Sequence, residues 1–138
     1  MSLDVYLIRK RWISFDEGKT HTEDQETVFS ANITHNLSEM AIHAGLYNVL
    51  WRPYLLTGYK ETGDHTKDWE YEDSCDIKAK MLIKPIEKGL RQLKSYPERF
   101  KKYNPENGWG RYEGLVEFTE DYLTACREHP DAKVEVSR

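Results

Sequence analysis

Hydrophobic and polar positions alternate from the start of the chain. Leu3, Val5 and Leu7 fall on one side of an extended backbone and Asp4, Tyr6 and Ile8 on the other, the period of a half-buried strand. Trp12, Ile13 and Phe15 continue this strand past a basic step at Arg9, Lys10 and Arg11. Asp16, Glu17, Gly18 and Lys19 form a turn signal, and residues 20–26 read as a charged loop. A second strand follows, in which Phe29, Ala31 and Ile33 alternate with Val28, Ser30, Asn32 and Thr34. A third closes the chain, with Ala132, Val134 and Val136 alternating with Lys133, Glu135 and Ser137. Strands that are apolar on one side only predict a small antiparallel sheet with one covered and one polar face.

Helical spacing takes over between the second and third strands. Asn36 and Glu39 form a capping pair that predicts a helix from Leu37, with Leu37, Met40, Ala41, Ala44, Tyr47, Leu50 and Trp51 on one stripe. Pro53 stops it. A second helix is expected from about Asp76, with Ala79, Leu82, Ile83, Ile86, Leu90 and Leu93 on one side and a kink at Pro85. Pro97 opens a short helical turn that runs to Tyr103. The last helix covers roughly residues 111–128, with Tyr112, Leu115, Val116, Thr119, Tyr122, Leu123 and Cys126 in register. Residues 54–75 carry neither period and read as an extended loop or a small hairpin turning near Gly63. The order predicts a single α+β domain over residues 1–138: about three antiparallel strands, packed on one face by three or more helices.

Composition narrows the partners. The chain has 138 residues, with 20 basic against 24 acidic side chains and a formal charge of −4. That balance argues against a general nucleic-acid binder, whose affinity comes from excess positive charge on phosphates. The longest apolar run, residues 5–8, is far too short to span a membrane, and the opening residues lack the apolar stretch of a signal peptide. A cytoplasmic protein is expected. Cys75 and Cys126 show no CxxC spacing and read as free thiols. Neither a metal site nor a cofactor is expected, because the five histidines show no ligand spacing and no dinucleotide fingerprint occurs. Glu17, Gly18, Lys19 and Thr20 end like a phosphate loop, but no glycine stands five residues before Gly18.

Two segments hold candidate chemistry. Asn32, Thr34, His35 and Asn36 stand where a strand runs into a helix N-terminus, a place with unpaired N–H groups suited to an anion. Asn107, Trp109 and Arg111 lie in a turn with a glycine on each side of the tryptophan. There Trp109 would stack on a ring, Asn107 would read its polar edge, and Arg111 would meet a phosphate. Trp51 and Arg52 form a similar pair of aromatic and cation. The structural alternatives are that Asn36 only caps its helix, and that Trp51 and Trp109 only fill the core.

The runs Ala31-Asn32-Ile33-Thr34-His35-Asn36-Leu37, Leu50-Trp51-Arg52-Pro53 and Asn104-Pro105-Glu106-Asn107-Gly108-Trp109-Gly110 resemble a family of small uncharacterised phage and prophage proteins. The opening Met1-Ser2-Leu3-Asp4-Val5-Tyr6-Leu7 and the ending Val134-Glu135-Val136-Ser137-Arg138 are similar too. That family carries no assigned activity or catalytic residues. The resemblance implies a phage source and an accessory role, including the binding or destruction of host defence signals.

Three functions follow. The first is a non-enzymatic module that sequesters a small anionic, nucleotide-derived ligand through Asn32, Thr34, His35, Trp51, Arg52, Asn107, Trp109 and Arg111. The second is a small nucleotide-acting hydrolase in which His35 is the acid–base group and Glu39 its partner. The third is an inhibitor that binds a host protein. Unpaired strand edges invite a further strand, so a homo-oligomer is expected as well.

Overall fold

The computed structural model describes residues 1–15 and 20–138, so the turn signal and the imperfect phosphate loop at 16–19 lie outside the described residues. Strands β1 (Ser2–Phe15), β2 (Thr20–Thr34) and β3 (Lys133–Ser137) form one antiparallel sheet of order β2-β1-β3. Among the described residues six α-helices complete an α+β fold: α1 (Ser38–His43), α2 (Tyr47–Trp51), α3 (His65–Ser74), α4 (Ile83–Ser95), α5 (Pro97–Lys101) and α6 (Tyr112–Glu128).

The register explains the alternation. Leu3 faces Ile33, Val5 faces Ala31 and Val136, and Leu7 faces Phe29 and Val134. These residues line the side against which the helices pack, where Leu3, Val5 and Leu7 are wholly buried and Phe29 stacks on Tyr122 of α6 at 5.8 Å. Asp4 with Asn32, and Tyr6 with Ser30 and Glu135, stand on the other face. A bulge beside Leu7 and Ile8 leaves Val28 as the extra residue of β2. Beyond it the ladder continues to Thr20, so residues 20–26 are strand and not loop. The charged run is compatible with a strand because Arg9 pairs with Glu26, and Arg11 reaches Asp24 at 3.2 Å. These two arginines meet carboxylates directly across the ladder.

Three helix boundaries differ from the sequence pattern. The stripe from Leu37 to Trp51 is split into α1 and α2, because Gly45 takes φ +74° and the Leu46 N–H turns back to the Ala41 carbonyl at 2.8 Å. The helix expected from Asp76 begins at Ile83 as α4, after an extended bridge from Lys78 to Lys133 and a 3-10 turn at Ala79–Met81. Pro85 therefore sits in the first turn, where its missing N–H has no intrahelical acceptor to lose, and it need not kink the helix.

Residues 54–75 are neither an open loop nor a hairpin. The 3-10 turn Pro53–Thr57 leads through residues 58–64 into α3, in whose first turn the N–H groups of Thr66 and Lys67 donate to Asp64 Oδ1 at 3.0 and 3.4 Å. Helix α3 is polar almost all round, which hid it from a search for an apolar stripe. It is held by polar contacts instead. Buried Asp68 accepts from Tyr59 Oη at 2.7 Å and from the Thr62 N–H and hydroxyl at 2.9 and 3.0 Å, and Tyr59 stacks on Tyr71 at 3.8 Å. Arg138 clamps α3 to the end of α2 through both oxygens of Glu72, at 2.7 and 2.9 Å, and the Trp51 carbonyl at 2.9 Å.

The Thr62 N–H is the main cause that holds the Asp68 carboxyl below the usual aspartate range. A depressed folded value stabilises the fold above the ordinary aspartate value, and that contribution is lost as pH falls through the folded value. In a thermal scan series, Asp68→Asn is expected to melt below the parent at pH 7, with the gap closing as the pH drops below about 4. A gap that stays constant with pH would show that the carboxylate charge does not matter.

One core links the sheet to α1, α2, α4, α5 and α6. In it the Tyr122 hydroxyl is buried and has no hydrogen-bond partner among the described residues. An unsatisfied buried hydroxyl costs about 1–3 kcal/mol. Tyr122→Phe keeps both ring contacts and is expected to raise the unfolding midpoint by a few degrees; a fall would indicate a partner for that hydroxyl.

Candidate functional site

The exit of β2 and the loop before α6 are 73 positions apart in sequence and meet in space. Thr34 ends the strand with φ −66° and ψ 141°, and its Oγ1 accepts the Asn36 N–H at 3.2 Å. That hydroxyl, not the Asn36 side chain, caps the 3-10 turn His35–Leu37 that precedes α1. The turn and the six-residue α1 are too short to act as the anion-binding helix terminus that the sequence suggests. Asn36 does other work: its Nδ2 donates to the Trp109 carbonyl at 3.3 Å.

The loop over residues 104–111 is pinned along its length. Asn104 Oδ1 accepts the Tyr112 N–H at 2.8 Å, Asn107 Oδ1 accepts the Trp109 N–H at 2.9 Å, and Gly108 N–H reaches the Pro105 carbonyl at 3.2 Å. Gly110, at φ +104°, allows the loop to lie on the turn. A Cβ there would come within 2.7 Å of Thr34 Cγ2 and 3.0 Å of Leu37 Cγ.

Between the two segments lies an open cleft of about 800 Å³, lined by Met1, Ser2, Asn32, Thr34, His35, Asn36, Asn107 and Trp109. Trp109 is not a core plug, because 72% of its surface is exposed. Trp51 is the reverse. It is 2% exposed, stacks on Tyr47 at 5.4 Å, and donates its Nε1–H to His35 Nδ1 at 2.9 Å. The indole N–H is a donor only, so Nδ1 carries no proton and the neutral ring carries its proton at Nε2.

The cleft thus gathers five of the eight ligand residues expected from sequence: Asn32, Thr34, His35, Asn107 and Trp109. Trp51 stands behind His35 and supports it. Arg52 does not line the cleft. Its guanidinium binds Tyr47 Oη at 3.4 Å, Tyr54 Oη at 3.2 Å and Glu61 at 3.1 Å, and the Tyr47 bond is the largest influence keeping it charged. Arg111 is exposed and precedes α6, outside the cleft lining. Glu39 is exposed in the first turn of α1 and does not line the cleft either, which removes the carboxylate expected beside His35. Met1 and Ser2 are lining residues that sequence reasoning left out, and Asn36, read from sequence as a candidate at the same junction but outside the ligand set, lines the cleft as well. No periodic signal marks them, since they join the site through strand pairing and one long-range bond.

Other features lie apart. A second cleft, of about 560 Å³, opens where β1 outruns β3. It is lined by both signs of charge, including Lys78, which pairs with Asp76 at 3.3 Å. Cys126 is buried, and burial pushes its thiol up to about 12, where a nucleophilic thiolate is scarce; Cys75 is half-buried, and the two form no disulfide. Among the described residues no cluster of histidine, cysteine and carboxylate is arranged to hold a metal ion, and no helix is long and apolar enough to cross a membrane. No protein-family model, curated protein or solved structure matches the chain.

Proposed function

We propose that this chain is a non-enzymatic binding module for a small nucleotide-derived ligand, whose flat ring lies on Trp109 while Asn32, His35 and Asn107 read its polar edge. One observation carries this reading: a loop fixed by its own hydrogen bonds and by Asn36 holds an indole out to solvent at the rim of a polar cleft. Exposing that much apolar ring is unfavourable in the free protein, and stacking on a ligand recovers it. With Arg52 and Arg111 outside the lining, phosphates on the ligand would be met by other donors, among them the Thr34 hydroxyl and the Asn107 amide. In the phage setting that the resemblance implies, such a module would sequester a host defence signal.

The test is thermal unfolding against nucleotides, cyclic nucleotides and ADP-ribose derivatives. A ligand at a hundred times its dissociation constant adds about 2.7 kcal/mol, a rise of roughly 5–15 °C for a domain of this size. Such a ligand recovered unchanged after hours supports sequestration, whereas turnover would replace it with an enzyme. No shift across the panel overturns the reading in favour of a protein partner. A second copy of the chain is the macromolecular partner favoured by the position of β2 at the edge of the sheet, and light scattering on the purified protein tests it.

A further inference from the structure

Four side chains of the cleft have a polar atom committed inside the protein, and in each case the partner's chemistry decides which atom that is; Asn36 commits a donor, its Nδ2, to the Trp109 carbonyl, and the other three commit acceptors. His35 gives Nδ1 to the indole N–H of Trp51. Asn107 gives Oδ1 to the backbone N–H of Trp109. Thr34 gives a lone pair of Oγ1 to the backbone N–H of Asn36. The partners of His35, Asn107 and Thr34 are N–H groups, which only donate, so these three committed atoms are acceptors. What remains for the cleft is the opposite polarity: Nε2–H of His35, the Nδ2 amide hydrogens of Asn107 and the hydroxyl hydrogen of Thr34. Asn32 and Asn36 keep amide oxygens, but among the described residues no carboxylate lines the cleft.

We infer that the cleft selects ligands that present hydrogen-bond acceptors, namely oxo groups of a base or phosphoryl oxygens, and discriminates against bases that present amino groups. This rests on the nucleotide reading above and names the ligand class within it. Opposite His35, Asn107 and Thr34 a ligand amino group would face donors and leave both sides unpaired on desolvation, whereas an oxo group accepts from them. Trp51 is the positioning residue. Without its N–H, His35 is free to move its proton to Nδ1 and turn an acceptor into the cleft.

Two measurements decide it. The first needs no ligand: nitrogen-15 NMR of the histidine rings at pH above 7 is expected to show His35 protonated at Nε2 in the parent, and mixed tautomers in Trp51→Phe. A parent His35 protonated at Nδ1 overturns the inference. The second compares uridine with cytidine, which differ in an oxo against an amino group, with inorganic phosphate as competitor. Uridine is expected to bind at least about tenfold tighter, a discrimination in the range of one good hydrogen-bonded edge. Competition by phosphate would instead assign the acceptor to a phosphoryl group. Equal affinities together with indifference to phosphate overturn the inference. Asn107→Asp retains the acceptor that holds the Trp109 N–H but replaces the amide donors with an oxygen. It is expected to lose uridine and gain cytidine, and an unchanged preference overturns the assignment of Asn107. If no nucleoside or nucleotide binds while His35 is protonated at Nε2, the nucleotide reading fails and the donor pattern stands.

Discussion

Replacing Trp51 with alanine is expected to lower the unfolding midpoint by roughly 10–20 °C, the largest stability effect of any single change at the site. The indole is 2% exposed, stacks on Tyr47 and is enclosed by the core. Truncating a buried tryptophan loses its transfer free energy and leaves a cavity, together about 3–5 kcal/mol. At this chain length each kcal/mol moves the midpoint by about 3–5 °C. The loss also strips His35 of its Nδ1 partner and releases the ring at the cleft. Circular dichroism melts of the two proteins check this. A loss under about 1 kcal/mol would mean that the core does not close on the indole, and would undermine the support assigned to His35.

Trp109→Ala is expected to do the reverse. With 72% of its surface in water, the side chain contributes little to folding, and the backbone bonds that hold residues 104–111 survive truncation. The melting midpoint should stay within about 2 °C of the parent, as for exposed substitutions in general. Affinity for the ligand is expected to fall about 5- to 150-fold, the range of about 1–3 kcal/mol found for removing an aromatic under a stacked base. Titration by intrinsic fluorescence and calorimetry reads both variants. Full affinity in Trp109→Ala would exclude stacking and leave the exposed indole without a role in ligand binding. The two tryptophans thus separate folding from recognition, although one bonds His35 and the other lines the same cleft as His35.

Much of the frame was legible because it follows local periods. Alternation at residues 3–8 and 132–137 placed β1 and β3, and the stripe of α6 matched the buried residues Tyr112, Leu115, Thr119, Tyr122, Leu123 and Cys126. The apolar spacing of α4 was equally clear once its start was set. The pattern failed where stabilisation comes from a distant partner. The strand at residues 20–26 is charged because Arg9 and Arg11 stand opposite it. Helix α3 shows no stripe because Asp64, Asp68 and Arg138 hold it through polar bonds.

The candidate site divides along the same line. Sequence alone marked Asn32, Thr34, His35, Asn107 and Trp109 as chemistry-bearing groups at two junctions, since residue type and the neighbouring glycines are local facts. Whether the junctions face one another depends on the close approach at Gly110 and on the Asn36 bond to Trp109, which no spacing rule encodes. Tertiary structure also sorted the two tryptophans into buried and exposed, and turned Arg52 toward Tyr47, Tyr54 and Glu61. It set the Trp51 N–H against Nδ1 of His35. The strand periods, helix stripes and turn chemistry are consequences of neighbours along the chain, which a sequence contains. The polarity that His35 presents to the cleft is set by the Trp51 N–H, a donor brought in from another element, and only the folded chain supplies it.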